Sequence, residues 1–149
     1  MIVHRLTKAA FTALDGEGAR RFGGRWNSAG RPAVYAAASP SLAVLEVLVH
    51  LDLPGELMPD DYRLIGIEIP DDTQVELLNH APGAADDCLA AGDDFLIRAA
   101  ALVLLVPSIV VPQERNAILN VRHPAMSRVA IVTDEPFRFD PRLPDPTVR

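Results

Sequence analysis

Ser39-Pro40-Ser41-Leu42-Ala43-Val44-Leu45-Glu46-Val47-Leu48-Val49 is an apolar run that carries a single charge, Glu46. Ser39 followed by Pro40 is a helix start, with serine as N-cap and proline at the first helical position. Wound as a helix, Leu42, Leu45, Glu46 and Val49 share one face, and the other faces are apolar too. A helix that is apolar all round is a buried one. Glu46 is then a carboxylate inside the core or at its edge. An unpaired buried carboxylate costs several kcal/mol, so Glu46 must be paired, protonated or lining a wet cleft. Such misplaced charges tend to mark functional sites, and a purely structural ion pair is the plain alternative.

Around this helix the chain alternates between strand and loop. Ala33 to Ala37 reads as a buried strand leading directly into it. Upstream, Ile2 to Leu6 is a short strand, Thr7 to Asp15 a loop or weak helical turn, and Gly16 to Pro32 an irregular, glycine-rich, basic loop. Loops of that length are uncommon in compact domains and are often functional. Downstream, Leu53 to Asp61 is a turn-rich connection with two prolines. Arg63 to Ile69 alternates, with Ile65, Ile67 and Ile69 on one buried face. Helical turns are expected around Val75 to Asn79 and Ala84 to Ala90, and a helix from Gly92 to about Arg98. A strand follows at Ala101 to Val106, then an extended Ile109 to Val111, a short helix at Glu114 to Leu119, and strands at Val129 to Thr133 and Phe137 to Phe139. The tail from about Arg142 carries two prolines and is expected to fray. The strands lack the regular strand–helix alternation of a doubly wound parallel sheet, so the expected class is α+β, one domain over residues 1–149.

The 149 residues are 49% hydrophobic and 23% charged, enough for one sizeable core. A net charge of -6 argues against non-specific nucleic-acid binding. Six of the 14 basic residues nonetheless fall in the first 31 positions, a distribution suited to an anionic small ligand. The one cysteine, Cys88, excludes an internal disulfide and a cysteine metal cluster, and the four histidines show no ligand spacing, so no metal site is expected. No signal peptide is visible at the start, and the longest apolar run is too short to span a bilayer, which points to a cytoplasmic protein without membrane contact.

Gly16-Glu17-Gly18-Ala19-Arg20-Arg21 begins like a dinucleotide fingerprint but lacks the third glycine and a leading strand. Gly23-Gly24-Arg25-Trp26-Asn27 is more informative. Its glycines allow close backbone approach, and Arg25 offers a planar fork for phosphate or carboxylate. Trp26 either packs under the loop or stacks on a ligand ring. Each remaining candidate has an ordinary reading too. Arg5 would be a solvated strand-end arginine, Tyr35 a core residue, Ser108 a turn serine, and Asn120 with His123-Pro124 a cap and turn. Taken together, two arginines, an aromatic ring and a sheltered carboxylate are the parts needed to cleave the bond between nicotinamide and ribose. That reaction passes through an oxocarbenium-like state that a carboxylate stabilises.

In order along the chain, Gly16 to Asn27, Val34-Tyr35, Leu42 to Glu46, Val106-Pro107-Ser108 and Asn116 to Pro124 resemble the RES-domain family, toxins paired with Xre-type helix-turn-helix antitoxins. The likeness runs from Arg5 to about Asp140, and it departs where the family often has Asn-Pro and this chain has Asn120-Val121. The resemblance implies a fold similar to ADP-ribosyltransferase toxins, with NAD as substrate rather than cofactor. It implies that Glu46, Arg25 and Tyr35 form the catalytic set: Glu46 stabilises the reacting ribose, Tyr35 faces the nicotinamide end, and Arg25 binds phosphate or ribose alongside Arg5. Ser108, Asn120 and Trp26 complete the expected substrate-binding residues. The implied activity is NAD cleavage by hydrolysis or phosphorolysis. ADP-ribosylation of a specific protein and a catalytically inactive binding module are the alternatives, and a homodimer is one arrangement its apolar edges allow.

Overall fold

The isoleucines between Arg63 and Ile69 do what their spacing demands: Ile65, Ile67 and Ile69 are all fully buried. The computed structural model describes residues 1–51, 53 and 57–143. Its elements are β1 (Ile2–Lys8), α1 (Glu17–Phe22), β2 (Val34–Ala37), α2 (Pro40–Leu48), β3 (Tyr62–Glu68), β4 (Val75–Leu77), α3 (Ala85–Arg98), β5 (Val103–Pro107), β6 (Arg115–Leu119) and β7 (Ala130–Phe137). Single 3-10 turns lie at Ala9–Phe11 and Pro124–Arg128. Seven strands form one sheet in the order β4-β5-β6-β2-β1-β3-β7. Only β4 and β5 pair in parallel, and the other pairs are antiparallel, so the fold is α+β as expected. Among the described residues no helix is long and apolar enough to cross a membrane.

The sheet carries apolar packing on both faces. Val3, Val34, Ile65, Ile67, Ala117 and Leu119 form one cluster, while Ile118 and Val106 join Phe95 of α3 and Trp26 in another. A third cluster seats α2: Leu42 and Ala43 pack against Leu6, Ala37, Tyr62 and Phe139. Leu42 is fully buried and contributes about 2 kcal/mol of transfer free energy to holding the helix down. Ser39 caps α2, its hydroxyl accepting from the Leu42 amide, and the same hydroxyl donates to Glu114 ahead of β6. The helix start is therefore tied to the β5–β6 hairpin as well as to the core.

Several local expectations give way to tertiary context. α2 is half-buried rather than enclosed, because Leu45 and Val49 are exposed on its outer side. The stretch expected as a helix at Glu114 to Leu119 holds the strand β6 (Arg115–Leu119) instead. Five residues are too few to show a period, and a central strand covered on both faces reads as a continuous apolar run. Val75 to Leu77 is likewise a strand, held by its parallel pairing to β5 rather than by its own pattern. α3 is one helix through Gly92 instead of two pieces. A Cβ at Gly92 would lie 1.8 Å from the Trp26 carbonyl oxygen, so glycine marks close packing there and not a helix start. Gly16 to Pro32 contains the short α1, with left-handed glycines at both ends and Glu17 accepting from Arg20 Nε at 2.7 Å. Ile109 to Val111 turns instead of extending, and β7 runs unbroken to Phe137. Part of the Leu53 to Asp61 connection, and the tail from residue 144, lie outside the described residues.

Candidate active site

Glu46 points from α2 toward the β5–β6 hairpin. Its Oε1 accepts two hydrogen bonds, from Ser108 Oγ at 2.6 Å and from Asn116 Nδ2 at 2.7 Å. Both donors are neutral, so the carboxylate is fixed in direction without a cation to neutralise it. Among the described residues Oε2 has no hydrogen-bond partner. Ser108 follows β5, and its oxygen also accepts from the Val110 and Val111 amides, which is why the chain turns there. Asn116 stands on β6 opposite Ala37 of β2 and Val106 of β5. Its Oδ1 is buried and unpartnered among the described residues, an acceptor still owed a donor.

Glu46 borders two cavities. One, of about 280 Å³, is lined by Arg5, Tyr35, His50 and Asn116 among others. The second, of about 470 Å³, is lined by Arg25, Gly24, His50, Ile109 and Asn116. Arg5 projects from β1 and Arg25 from the glycine loop. Among the described residues neither makes a salt bridge, whereas Arg20, Arg31, Arg63, Arg98, Arg128 and Arg142 all do. Arg5 Nη1 donates to the Phe11 carbonyl at 3.3 Å. Burial pushes the Arg5 guanidinium below its ordinary pKa, with Asp15 pulling the other way, and it stays charged at neutral pH. The two guanidinium groups are thus left available in the two cavities that this one oriented carboxylate borders.

The glycine loop is held by Tyr35 and Asn27. The Tyr35 hydroxyl donates to Asn27 Oδ1 at 2.6 Å and accepts from the Trp26 amide at 3.0 Å. Burial pushes this phenol up to about 12, against the Trp26 hydrogen bond that lowers it, so it is neutral and able to donate at physiological pH. Fully buried Asn27 donates through Nδ2 to the Ala19 and Arg31 carbonyls at 2.8 and 2.9 Å. A Cβ at Gly24 would sit 2.7 Å from the Tyr35 oxygen, which explains the glycine. Ser28 is tied to Asp93 of α3 by both its amide and its hydroxyl. Arg25 is therefore presented by a braced loop.

Glu46 shares one cavity with Arg5 and Tyr35 and the other with Arg25, and three other expectations change. Trp26 borders the second cavity, but its side chain belongs to the core at 4% exposure, packed with Phe95 and Val106, so no ring face is offered for stacking. Asn120 is 1% exposed and structural: Nδ2 donates to the Leu96 carbonyl and Oδ1 accepts from the Arg122 amide. It borders a separate cavity with Arg31 and Leu96 that shares no lining residue with those at Glu46. Ser108 meets Glu46 and the turn amides, so it orients the carboxylate instead of reaching the cavities itself. The sequence reading missed Asn116, which it placed on a helix. As part of a central strand, a lone amide among Ala117, Ile118 and Leu119 stands out as Glu46 does on α2.

The chain is similar to several known proteins in sequence and in fold. A protein named Toxin Res from Pseudomonas putida is 44% identical over 96% of this chain and 99% of its own length. The Prs ADP-ribosylating toxin of a Sphingobium species is 34% identical over 87% of this chain and 86% of its own. The NAD(+) phosphorylase MbcT of Mycobacterium bovis is 36% identical over 62% of this chain and 54% of its own. In fold, the chain matches one from the crystal structure of the M. tuberculosis MbcT–MbcA toxin–antitoxin complex with a TM-score of 0.73 at 24% identity, covering 95% of this chain and 85% of that one. The sequence model of the RES domain matches residues 2–140, and the chain belongs to the RES domain family.

Proposed function

We propose that this protein is an NAD-consuming toxin of a toxin–antitoxin pair, which cleaves the nicotinamide–ribose bond with water or phosphate as acceptor. The observation that carries the reading is Glu46: a carboxylate aimed by neutral donors, bordering cavities with guanidinium groups that make no salt bridge among the described residues. As the C–N bond breaks, nicotinamide leaves with the bonding electron pair and positive charge develops on the ribose. A fixed anion beside that carbon stabilises the charge more in the transition state than in the ground state, which is what accelerates a reaction. Arg5 and Arg25 hold the anionic pyrophosphate, for which the planar guanidinium fork is suited. Tyr35 holds the loop that carries Arg25 and presents its ring toward the nicotinamide end. No cofactor is needed, because NAD is the substrate.

The relative named as an NAD phosphorylase favours phosphate as acceptor, and the one named as an ADP-ribosylating toxin favours a protein. Both acceptors meet the same oxocarbenium-like ribose, so the chemistry at Glu46 is common to them. A cytoplasmic setting and an Xre-type helix-turn-helix antitoxin complete the proposal, supported by the family and by the toxin–antitoxin complex of similar fold. Induced expression should deplete cellular NAD and arrest growth, and co-expression of a helix-turn-helix protein encoded beside it should relieve both. Mass spectrometry of the products separates ADP-ribose, its phosphorylated form and protein adducts. Growth arrest that persists with Glu46→Ala and Arg25→Ala would identify a binding module instead.

A further inference from the structure

The Arg5 cavity adjoins a second chamber that the reaction chemistry does not use. This chamber, of about 370 Å³, shares Arg5, Thr7 and Tyr35 with the Glu46 cavity and is otherwise lined by Phe11, Asp15, Gly16, Glu17 and Phe22, among others. Phe22 is 85% exposed and Phe11 62% exposed. Phe95 and Phe139, by contrast, are buried in the core. Two bare phenyl rings bordering one chamber are unusual on a protein surface and suit a flat heteroaromatic partner. Asp15 and Glu17 add carboxylates, acceptors that suit the hydroxyls of a sugar.

We propose that this chamber seats the adenosine half of NAD, with the adenine against Phe11 and Phe22. The inference rests on the NAD reading of the site above. Its geometry follows from continuity: with the reacting ribose at Glu46 and the pyrophosphate at Arg5, the rest of the dinucleotide passes Arg5 into the chamber that shares this residue. Phe11 and Phe22 then determine affinity for the dinucleotide and take no part in bond cleavage.

The test uses Phe11→Ala and Phe22→Ala, both at exposed positions, with thermal melts to verify folding. Each variant should raise KM for NAD about ten-fold at unchanged kcat, the range for loss of one base–aromatic stack. Turnover of nicotinamide mononucleotide, which has no adenine, should be unaffected. Calorimetry with ADP, which lacks the reacting bond, should show binding to the wild type that weakens to a similar degree in each variant. Unchanged KM and ADP affinity in both variants, or no ADP binding by the wild type, would overturn the assignment. ADP binding that depends on the phenyl rings, in a wild type that releases no nicotinamide, would support this chamber and refute the proposed reaction.

Discussion

Glu46 and Glu76 are both partly sheltered glutamates held by hydrogen bonds, and they do opposite things. Glu76 on β4 receives a bidentate grip from Arg98 of α3, at 2.8 and 2.9 Å, and Arg98 also donates to Asp94. The Arg98 hydrogen bonds hold the Glu76 carboxyl below its usual range, and its charge is cancelled where it stands. Glu46 receives a hydroxyl and an amide, which fix its direction and leave its charge intact. The free guanidinium groups near it are set across cavities instead of in contact. A neutralised carboxylate braces an edge strand against a helix. A carboxylate oriented by neutral groups keeps a field that a developing cation can feel.

The largest effect that sharpens this contrast is Glu46→Gln. Glutamine preserves the acceptor toward Ser108 and Asn116, so the fold should be kept, while nicotinamide release should fall by about 10³-fold, the scale for losing a main electrostatic contact. Next, Arg5→Ala should lower kcat/KM for NAD by roughly 10- to 100-fold, the range for one charge-assisted contact. Ser108→Ala frees the carboxylate from one donor and should reduce kcat by about ten-fold while costing about 1 kcal/mol of stability, since the turn at Val110 and Val111 is lost with it. Asn116→Asp places a second carboxylate against Glu46. Like charges disfavour joint ionisation, so the acid limb of the pH–rate profile should move to higher pH. Glu76→Gln is the smallest: activity unchanged, with a modest salt-sensitive loss of stability on thermal melting.

The Glu46 side of this contrast is visible in the sequence. An isolated charge in an apolar helix with a Ser-Pro start leads to Glu46, and alternating isoleucines lead to β3. Hydrogen-bond partners across the sheet are not visible, because Ser108 and Asn116 stand 62 and 70 residues from Glu46 and meet it only through the hairpin. Asn116 was hidden by the misreading of β6, a short central strand whose buried run has no period. Trp26 and Asn120 mislead for a different reason. Their types suit ligand contacts, yet burial turns one into core and the other into a carbonyl clamp at the end of α3. Gly92 shows the converse: a residue expected to open a helix is a point of close approach inside one.

The most direct measurement is the rate of nicotinamide release from NAD under single-turnover conditions, with wild-type protein and Glu46→Gln compared at equal NAD occupancy. Release by the wild type, with a loss of about 10³-fold in a variant that binds NAD and melts normally, is the expected result. Equal rates from the two proteins would contradict a role for the Glu46 charge, and no release from a well-folded wild type with water, phosphate or protein acceptors would contradict NAD cleavage itself.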